Sequence, residues 1–340
     1  MHSPALSVLL PCFNCAETLP RALDSLLRQS FHDFEILALD DGSTDGTADV
    51  LAAYALRDSR IRPVRLPRSG LVEALNIGLQ LAAGVNFARM DADDESLPDR
   101  LELQMGYLDA NPALGLVGGQ VRFGGDPRSS RGYSLFVDWQ NAQRTPEEIR
   151  RNRFVECPLA HPSFLFPRWV VERFGGYRQG AFPEDYELVL RLADKGVPMG
   201  KVAEPVLIWN DPPNRLSRLD ASRYSQEAFF ALKAEYLAGW LERNNPFHPE
   251  VVVHGSGRLA RRRLAFLEAK GIRVAAYVDI DPRKIGRHIH GREVIGPQEL
   301  PEAGRCFCLS YVAKRGGRES VEALLRSKGY LPERDYMLVA

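Results

Sequence analysis

The chain has 340 residues, with Lys+Arg and Asp+Glu both numbering 44, so its formal net charge is zero. That balance argues against a nucleic-acid or membrane-surface binder, and the length allows two domains, each with a sizeable core. Five cysteines, Cys12, Cys15, Cys157, Cys306 and Cys308, are an odd number spread over a long chain, which argues against a disulfide framework and fits a reducing compartment.

The N-terminus reaches an apolar run, SVLL, almost at once, and that run is far too short for a signal sequence or a span. With no stretch of about 18 apolar residues elsewhere, the expected location is cytoplasmic. Contact with the membrane would be peripheral, at its inner face, if the substrate is lipid-linked. LSVLLPCFN reads as a buried parallel strand followed by a helix from near Glu17. Cys12 and Cys15 form a CxxC at the strand end. Lacking a second pair at zinc spacing, they read as small structural residues, with a thioredoxin-like reading left open.

FEILALDDGSTDGT repeats the strand-then-helix form and places Asp40 and Asp41 at the strand end, with Thr44 or Asp45 able to cap the next helix. A carboxylate there can accept a hydrogen bond from a base N–H or a ribose hydroxyl, and Asp41 is the preferred one. NFARMDADD is a third strand ending in acids. Asp91 and Asp93 flank a small residue, so extended geometry would point both side chains to one side. Two hard oxygen ligands there can hold Mg2+ or Mn2+ against a diphosphate, whereas a solvated turn or a cap for the helix near Pro98 is the alternative.

From Leu6 to about Gly118, strands alternate with the helical patterns TLPRALDSLLRQS, TADVLAAYALRD, LVEALNIGLQLAAG and LPDRLELQMGYLDAN. This predicts an α/β fold whose mostly parallel sheet is sandwiched by helices, with ligands at the carboxyl edge of the strands. Residues 121–153 are richer in Gly, Arg, Ser and aromatics, and a helix starts near Pro146. Pro183, Glu184 and Asp185 open another helix, where the dipole favours carboxylates and explains one acid without requiring two.

Residues 221–243 read as a long helix, and NNPFHPE, with Pro246 and Pro249, marks a boundary. Beyond it, VVVHGSGRLARRRLAFLEAKGIRVAAYVDIDPRKIG reads as strand, glycine turn, helix and strand. Gly255, Ser256 and Gly257 form the turn, Ala260 replaces a third glycine, and Asp279 or Asp281 follows about 20 residues on. The expected domains are 1–219, a helical linker at 220–246, and a small α/β domain at 247–340.

PCFNCAETL, LALDDGSTDGT, EALNIGLQLAAG, MDADDESLPDRL, GGYR and PEDYELVLRL together resemble family 2 glycosyltransferases, over roughly residues 5–215. The resemblance implies the glycosyltransferase A-type fold of nucleotide-diphospho-sugar transferases. It also implies an inverting, metal-dependent transfer of sugar to a hydroxyl acceptor, in polysaccharide or other glycan assembly. By similarity, Pro11, Phe13 and Asn14 border the nucleotide, Asp41 contacts its base, Asp91 lies near the ribose or diphosphate, and Asp93 ligates the metal. Asn76 falls on the nucleotide side as well. Asp185 takes the role of general base, with Glu184 binding acceptor or orienting its neighbour, and His161 is close in chain order.

One departure is Leu75, where many relatives carry an arginine before the asparagine matching Asn76. The diphosphate charge then rests on the metal and a later arginine, with Arg215 and Arg218 the candidates beside a solvated-surface reading. Trp209 is read either as a sugar-stacking face or as a core residue. The expected partners are a nucleoside diphosphate sugar, with UDP-sugar favoured, and a glycan or lipid-linked acceptor; nucleic acid is not expected, and an oligomer is left open. The C-terminal part resembles half of a Rossmann-like domain, whose turn and Asp279 would take NAD(P), another nucleotide or no ligand. Two other functions are weighed. A nucleotidyltransferase would need a glycine-rich basic loop after the first strand, which PCFNCAET lacks. A nucleotide- or dinucleotide-sensing protein with an inactive transferase half is opposed by the presence of all three acidic sites.

Overall fold

The computed structural model describes residues 3–212, 215, 218, 220, 222–314 and 316–340; Leu219 and Ala221, at the expected domain and helix boundaries, lie outside the described residues. The chain divides into two compact units, one of residues 1–150 with 158–221, the other of 151–157 with 222–340.

In the first unit the elements run β1 (Leu6–Cys12), α1 (Leu19–Leu27), β2 (Phe34–Asp41), α2 (Thr47–Arg57), β3 (Ile61–Leu66), α3 (Leu71–Leu81), β4 (Asn86–Arg89) and β5 (Glu95–Ser96). They continue through α4 (Arg100–Ala110), β6 (Leu116–Phe123), α5 (Arg131–Ala142), α6 (Pro146–Asn152, its last two residues counted with the second unit), β7 (Leu165–Pro167), α7 (Arg168–Phe174), α8 (Glu184–Asp194) and β8 (Met199–Trp209). The sheet order is β3-β2-β1-β4-β7-β6-β8-β5. β1 pairs in parallel with β2 on one side and β4 on the other, and β7 runs antiparallel between β4 and β6.

The continuous apolar runs of β1 and β2 follow from this position, because helices cover both faces of the sheet. Leu6, Val8 and Leu10 join Ile36, Ala38, Leu23 and Leu26 in one core. The alternate residues Leu9 and Leu39 face α3, where a Cβ on Gly78 would lie 2.7 Å from Leu39 Cδ1. Each such leucine, withdrawn fully from water, contributes about 1.5–3 kcal/mol.

The chain leaves β1 first toward β2 and β3, then crosses back to β4 on the other side. A crevice therefore opens beyond the carboxyl ends of β1 and β4, where the strand order reverses. Phe13, Asp41 and Asp91 each follow or end one of these strands, so they share that edge.

The second unit contains α9 (Gln226–Asn244), β9 (Glu250–His254), α10 (Arg258–Glu268), β10 (Arg273–Val278), β11 (His288–Ile289), β12 (Arg292–Ile295), β13 (Cys308–Ser310), α11 (Gly317–Ser327) and β14 (Tyr336–Leu338). Its smaller sheet has the order β11-β12-β10-β9-β13-β14, parallel except for the β11–β12 pair. Ser225 caps α9 by accepting from the Ala228 amide at 3.1 Å. Lys233, buried in the same unit, donates to the Val155 carbonyl at 2.7 Å.

Candidate functional site

The turn after β2 and the loop after β1 are stitched together by short polar side chains. Ser43 Oγ accepts from the Asn14 amide at 3.0 Å, Asn14 Oδ1 from the Thr44 amide at 2.8 Å, and Thr47 Oγ1 from the Cys15 amide at 2.9 Å. Asp45 accepts from Thr47 N at 3.0 Å and Ala16 N at 3.1 Å, so it serves both the start of α2 and the β1 loop. These bonds hold Asn14 at φ 48° and leave Phe13 43% exposed at the crevice. Pro11 remains inside β1, and Cys12 and Cys15 are free thiols.

Asp40 and Asp41 diverge in role. Asp40 Oδ1 accepts from the Ser43 amide at 3.0 Å, while its buried Oδ2 has no hydrogen-bond partner among the described residues. Asp41 binds the loop between β3 and α3: it accepts from Ser69 N at 2.6 Å, Ser69 Oγ at 3.0 Å and Gly70 N at 2.9 Å, and it pairs with Arg68. The loop approaches so closely at Gly42 (φ 71°) that a Cβ there would lie 2.8 Å from Arg68 N.

Beyond β4 the backbone turns, so Asp91 and Asp93 do not stand in the extended geometry that their spacing suggested. The turn instead gathers Asp91, Asp93 and Asp94 so that one carboxylate oxygen of each lies within 4.8 Å of the others. Burial and then the charge of Asp91 push the Asp93 carboxyl up to about 6. Burial and both neighbours drive Asp94 well above the usual carboxylate range. Asp94 Oδ1 accepts from the Asn210 amide at 2.8 Å, and its Oδ2 has no hydrogen-bond partner among the described residues. Crowded, partly orphaned carboxylates of this kind suit a hard dication, which would relieve their repulsion and take the orphaned oxygen.

Arg89, the last residue of β4, is buried and pairs with Asp91. It reads in the sequence as a lone charge at the end of the short strand NFAR, and sequence reasoning passed over it. The signal was its place two residues before an acid, since a buried arginine requires an anion. Asp94 was missed as well, because spacing singled out only the two acids flanking Ala92.

On the far side of the crevice, α8 begins at Glu184 with Glu184, Asp185 and Glu187 in its first turn. Burial, followed by the charge of Glu184, raises the Asp185 carboxyl to about 7, against the Tyr186 amide and Arg89, which favour the ionised form. The Tyr186 amide donates to Asp185 Oδ1 at 2.7 Å. Glu184 is buried, with Oε1 3.7 Å from His161 Nδ1. His161 Nε2 lies 3.0 Å from Tyr177 Oη, and burial followed by Arg89 holds this imidazole well below its ordinary pKa, so it is neutral.

The loop before α8 is fixed from two directions. The Asn76 amide group donates to the Tyr177 carbonyl and accepts from its N–H, both at 2.9 Å. Arg191, paired with Glu187 at 3.0 Å, donates to the Gly176 carbonyl at 2.6 Å. A Cβ on Gly176 would lie 2.5 Å from Asn76 Oδ1, which explains the small residue there. Asn76 thus spends both polar atoms on the backbone that carries Tyr177.

Trp209 is 7% exposed, with Tyr133 edge-on at 5.2 Å. The Arg215 guanidinium lies over both rings, 4.4 Å from Tyr133 and 4.6 Å from Trp209, and close enough to the acidic turn to feel Asp91 and Asp94. Arg218 instead bonds Asp211 at 2.8 Å and the Pro212 carbonyl at 2.7 Å.

In the second unit, the turn Gly255-Ser256-Gly257 joins β9 to α10, and Gly255 has φ 101°. Asp279 accepts from Ser256 Oγ and from Lys284 at 2.8 Å. Burial works against its ionisation, but the Lys284 and Ser256 bonds hold its carboxyl down to about 2. Among the described residues, no helix is long and apolar enough to cross a membrane.

The fold and the acidic edge define the class. A mannosyltransferase from Pyrobaculum calidifontis, solved in complex with GDP-Man and Mn2+, superposes with a TM-score of 0.50 at 22% identity, covering 71% of this chain and 64% of that one. The likeness establishes a shared glycosyltransferase A-type fold. The "Glycosyl transferase family 2" model matches residues 7–174. The putative glycosyltransferase EpsE of Bacillus subtilis is 38% identical over 199 residues, which are 57% of this chain and 68% of EpsE. A chondroitin synthase of Pasteurella multocida is 35% identical over 196 residues, 57% of this chain but 19% of the synthase. The chain belongs to glycosyltransferase family 2.

Proposed function

We propose that this protein is an inverting, metal-dependent glycosyltransferase that moves a sugar from a nucleoside diphosphate donor, a UDP-sugar first among the candidates, to a hydroxyl acceptor in polysaccharide or related glycan assembly. The observation that carries this is the common charge environment of the Asp91, Asp93 and Asp94 turn and of Asp185, with Arg89 acting on Asp93 and Asp185 alike. The EpsE and chondroitin synthase relatives support the glycan setting. The GDP-Man and Mn2+ bound in the mannosyltransferase support a sugar nucleotide and a dication.

The donor nucleoside would lie over Phe13, bordered by Pro11 and Asn14, with its base toward Asp41. Asp93, with Asp91 and Asp94, would hold Mn2+ or Mg2+. When bound, the ion neutralises charge growing on the departing diphosphate. Arg215, half-buried against Trp209 and Tyr133, is a cation placed to share that task, since Leu75 cannot. Asp185 takes the proton from the acceptor hydroxyl. The freed oxygen attacks the anomeric carbon opposite the nucleoside diphosphate, whose bond to the sugar breaks with inversion. A carboxyl at about 7 is matched to this work near neutral pH. Neutral His161 cannot compete for that proton as well, and with Glu184 it lines the acceptor side. Asn76 acts through the Tyr177 loop.

The domain reading that accompanies this is a transferase domain at 1–219, a helical linker at 220–246 and a Rossmann-like domain at 247–340. Asp279 is already engaged by Ser256 and Lys284, so nothing favours NAD(P) there over a packing role.

The test is a thermal-shift screen against UDP-, GDP-, dTDP- and CDP-sugars with and without Mn2+, alongside NAD and NADP. A manganese-dependent rise with one sugar nucleotide supports the reading and names the donor. A rise with dinucleotides alone would overturn it.

A further inference from the structure

In this structure the Arg68 side chain lies against both the half-exposed Phe13 ring and the buried Asp41 carboxylate. The Arg68 guanidinium lies 3.4 Å from the centroid of the Phe13 ring and pairs with Asp41. A flat group with N–H donors on its edge thus sits on an aromatic face with a carboxylate at its rim. The same combination describes a nucleobase with a ring N–H, such as uracil or guanine, stacked on Phe13 and donating to Asp41.

Resting on the nucleotide-sugar reading above, we propose that Arg68 is a built-in stand-in for the nucleobase. Its side chain occupies the base subsite of the free protein, and donor binding displaces it. Three features fit this role. The Arg68 side chain is 51% exposed whereas that of Asp41 is 4% exposed, so the arginine can swing into water while the carboxylate stays. Among the described residues, Asp41 is the sole hydrogen-bond partner of the guanidinium. The loop does not depend on that contact, because Ser69 N, Ser69 Oγ and Gly70 N bond Asp41 independently.

Two consequences follow from the chemistry. A ligand unable to offer both a ring face and an N–H donor gains nothing by ejecting the arginine, so Arg68 sets a threshold that favours such bases. It also shields the buried carboxylate from other cations while no donor is bound. Arg68 is a specificity residue of the free state, acting by competition.

The test is calorimetric titration of UDP and of GDP, each with MnCl2, into the full chain, Arg68→Ala and Arg68→Lys. Removing a half-exposed ion pair and a cation–π contact that compete with the ligand should tighten binding by about three- to thirtyfold in Arg68→Ala. Arg68→Lys keeps the charge without the planar stack and should fall between the two. Weaker binding by Arg68→Ala would make the arginine a donor ligand, and unchanged binding would show that it does not block the subsite. Either result overturns the proposal while leaving the transferase reading in place. Failure of all three proteins to bind either nucleotide would overturn this proposal, while the transferase reading would be decided by the screen of all four kinds of sugar nucleotide.

Discussion

Arg89 and Asp91 pair where β4 runs out into the acidic turn, with the guanidinium 3% exposed and the carboxylate 29% exposed. A buried cation therefore anchors a carboxylate whose other side is open to the crevice. The same guanidinium favours the ionised forms of Asp93 and Asp185 and disfavours a charged His161. The candidate metal side and the candidate base side are thereby tuned by one charge.

Arg89→Met should cost about 2–4 kcal/mol, because a carboxylate loses its buried partner and a cavity lined by polar atoms remains. It should also move the acid limb of the rate profile to higher pH, since Asp185 loses a stabilising cation. Chemical denaturation and a pH–rate series check the two effects separately.

Asp185→Asn should keep donor affinity and lower transfer by about a thousandfold or more, because it removes the proton acceptor without changing shape. Titration of the donor and an initial-rate assay decide it; transfer at the parental rate would remove Asp185 from the chemistry.

The rate of the unaltered enzyme should rise with pH through about 7 as Asp185 loses its proton. The stability effect has the opposite sign. An aspartate that titrates at about 4 in the unfolded chain and at about 7 when folded binds more protons in the native state between those values. Its contribution therefore favours folding at low pH and is lost as pH rises. At pH 8, Asp185→Asn should melt above the parent, and a melting-temperature series from pH 5 to 8 would show the gap widening.

Mn2+ should raise the melting temperature of the parent, by relieving repulsion among Asp91, Asp93 and Asp94. Asp93→Ala should lose most of that rise and weaken donor binding only when the ion is present. An undiminished manganese effect would take Asp93 out of the ion's coordination.

Asn76→Ala should lower stability by about 1–2 kcal/mol and slow transfer, because both its bonds hold the Tyr177 backbone. Donor affinity measured directly should barely change. A large loss of UDP affinity with unchanged stability would instead make Asn76 a nucleotide ligand.

The alternation of apolar runs with helical patterns from Leu6 to Gly118 was legible because periodicity and burial are local consequences of a two-faced sheet. The acids at the ends of β2 and β4 and at the start of α8 were legible for the same reason, as charges where buried elements stop. The partnership of those acids was not. No spacing reveals that Arg89 sits under Asp91, that Asn76 clasps Tyr177 across 101 positions, or that Arg68 lies on Phe13. The extended Asp91–Ala92–Asp93 geometry was also a local expectation, and it yielded to a turn that brings in Asp94. Sequence alone determined the class of fold and the edge at which chemistry is sought, because each strand and helix carries its own pattern of burial. Tertiary structure alone decided which side chains meet there and which proton affinities shift, because desolvation and charge act through space between segments far apart in the chain.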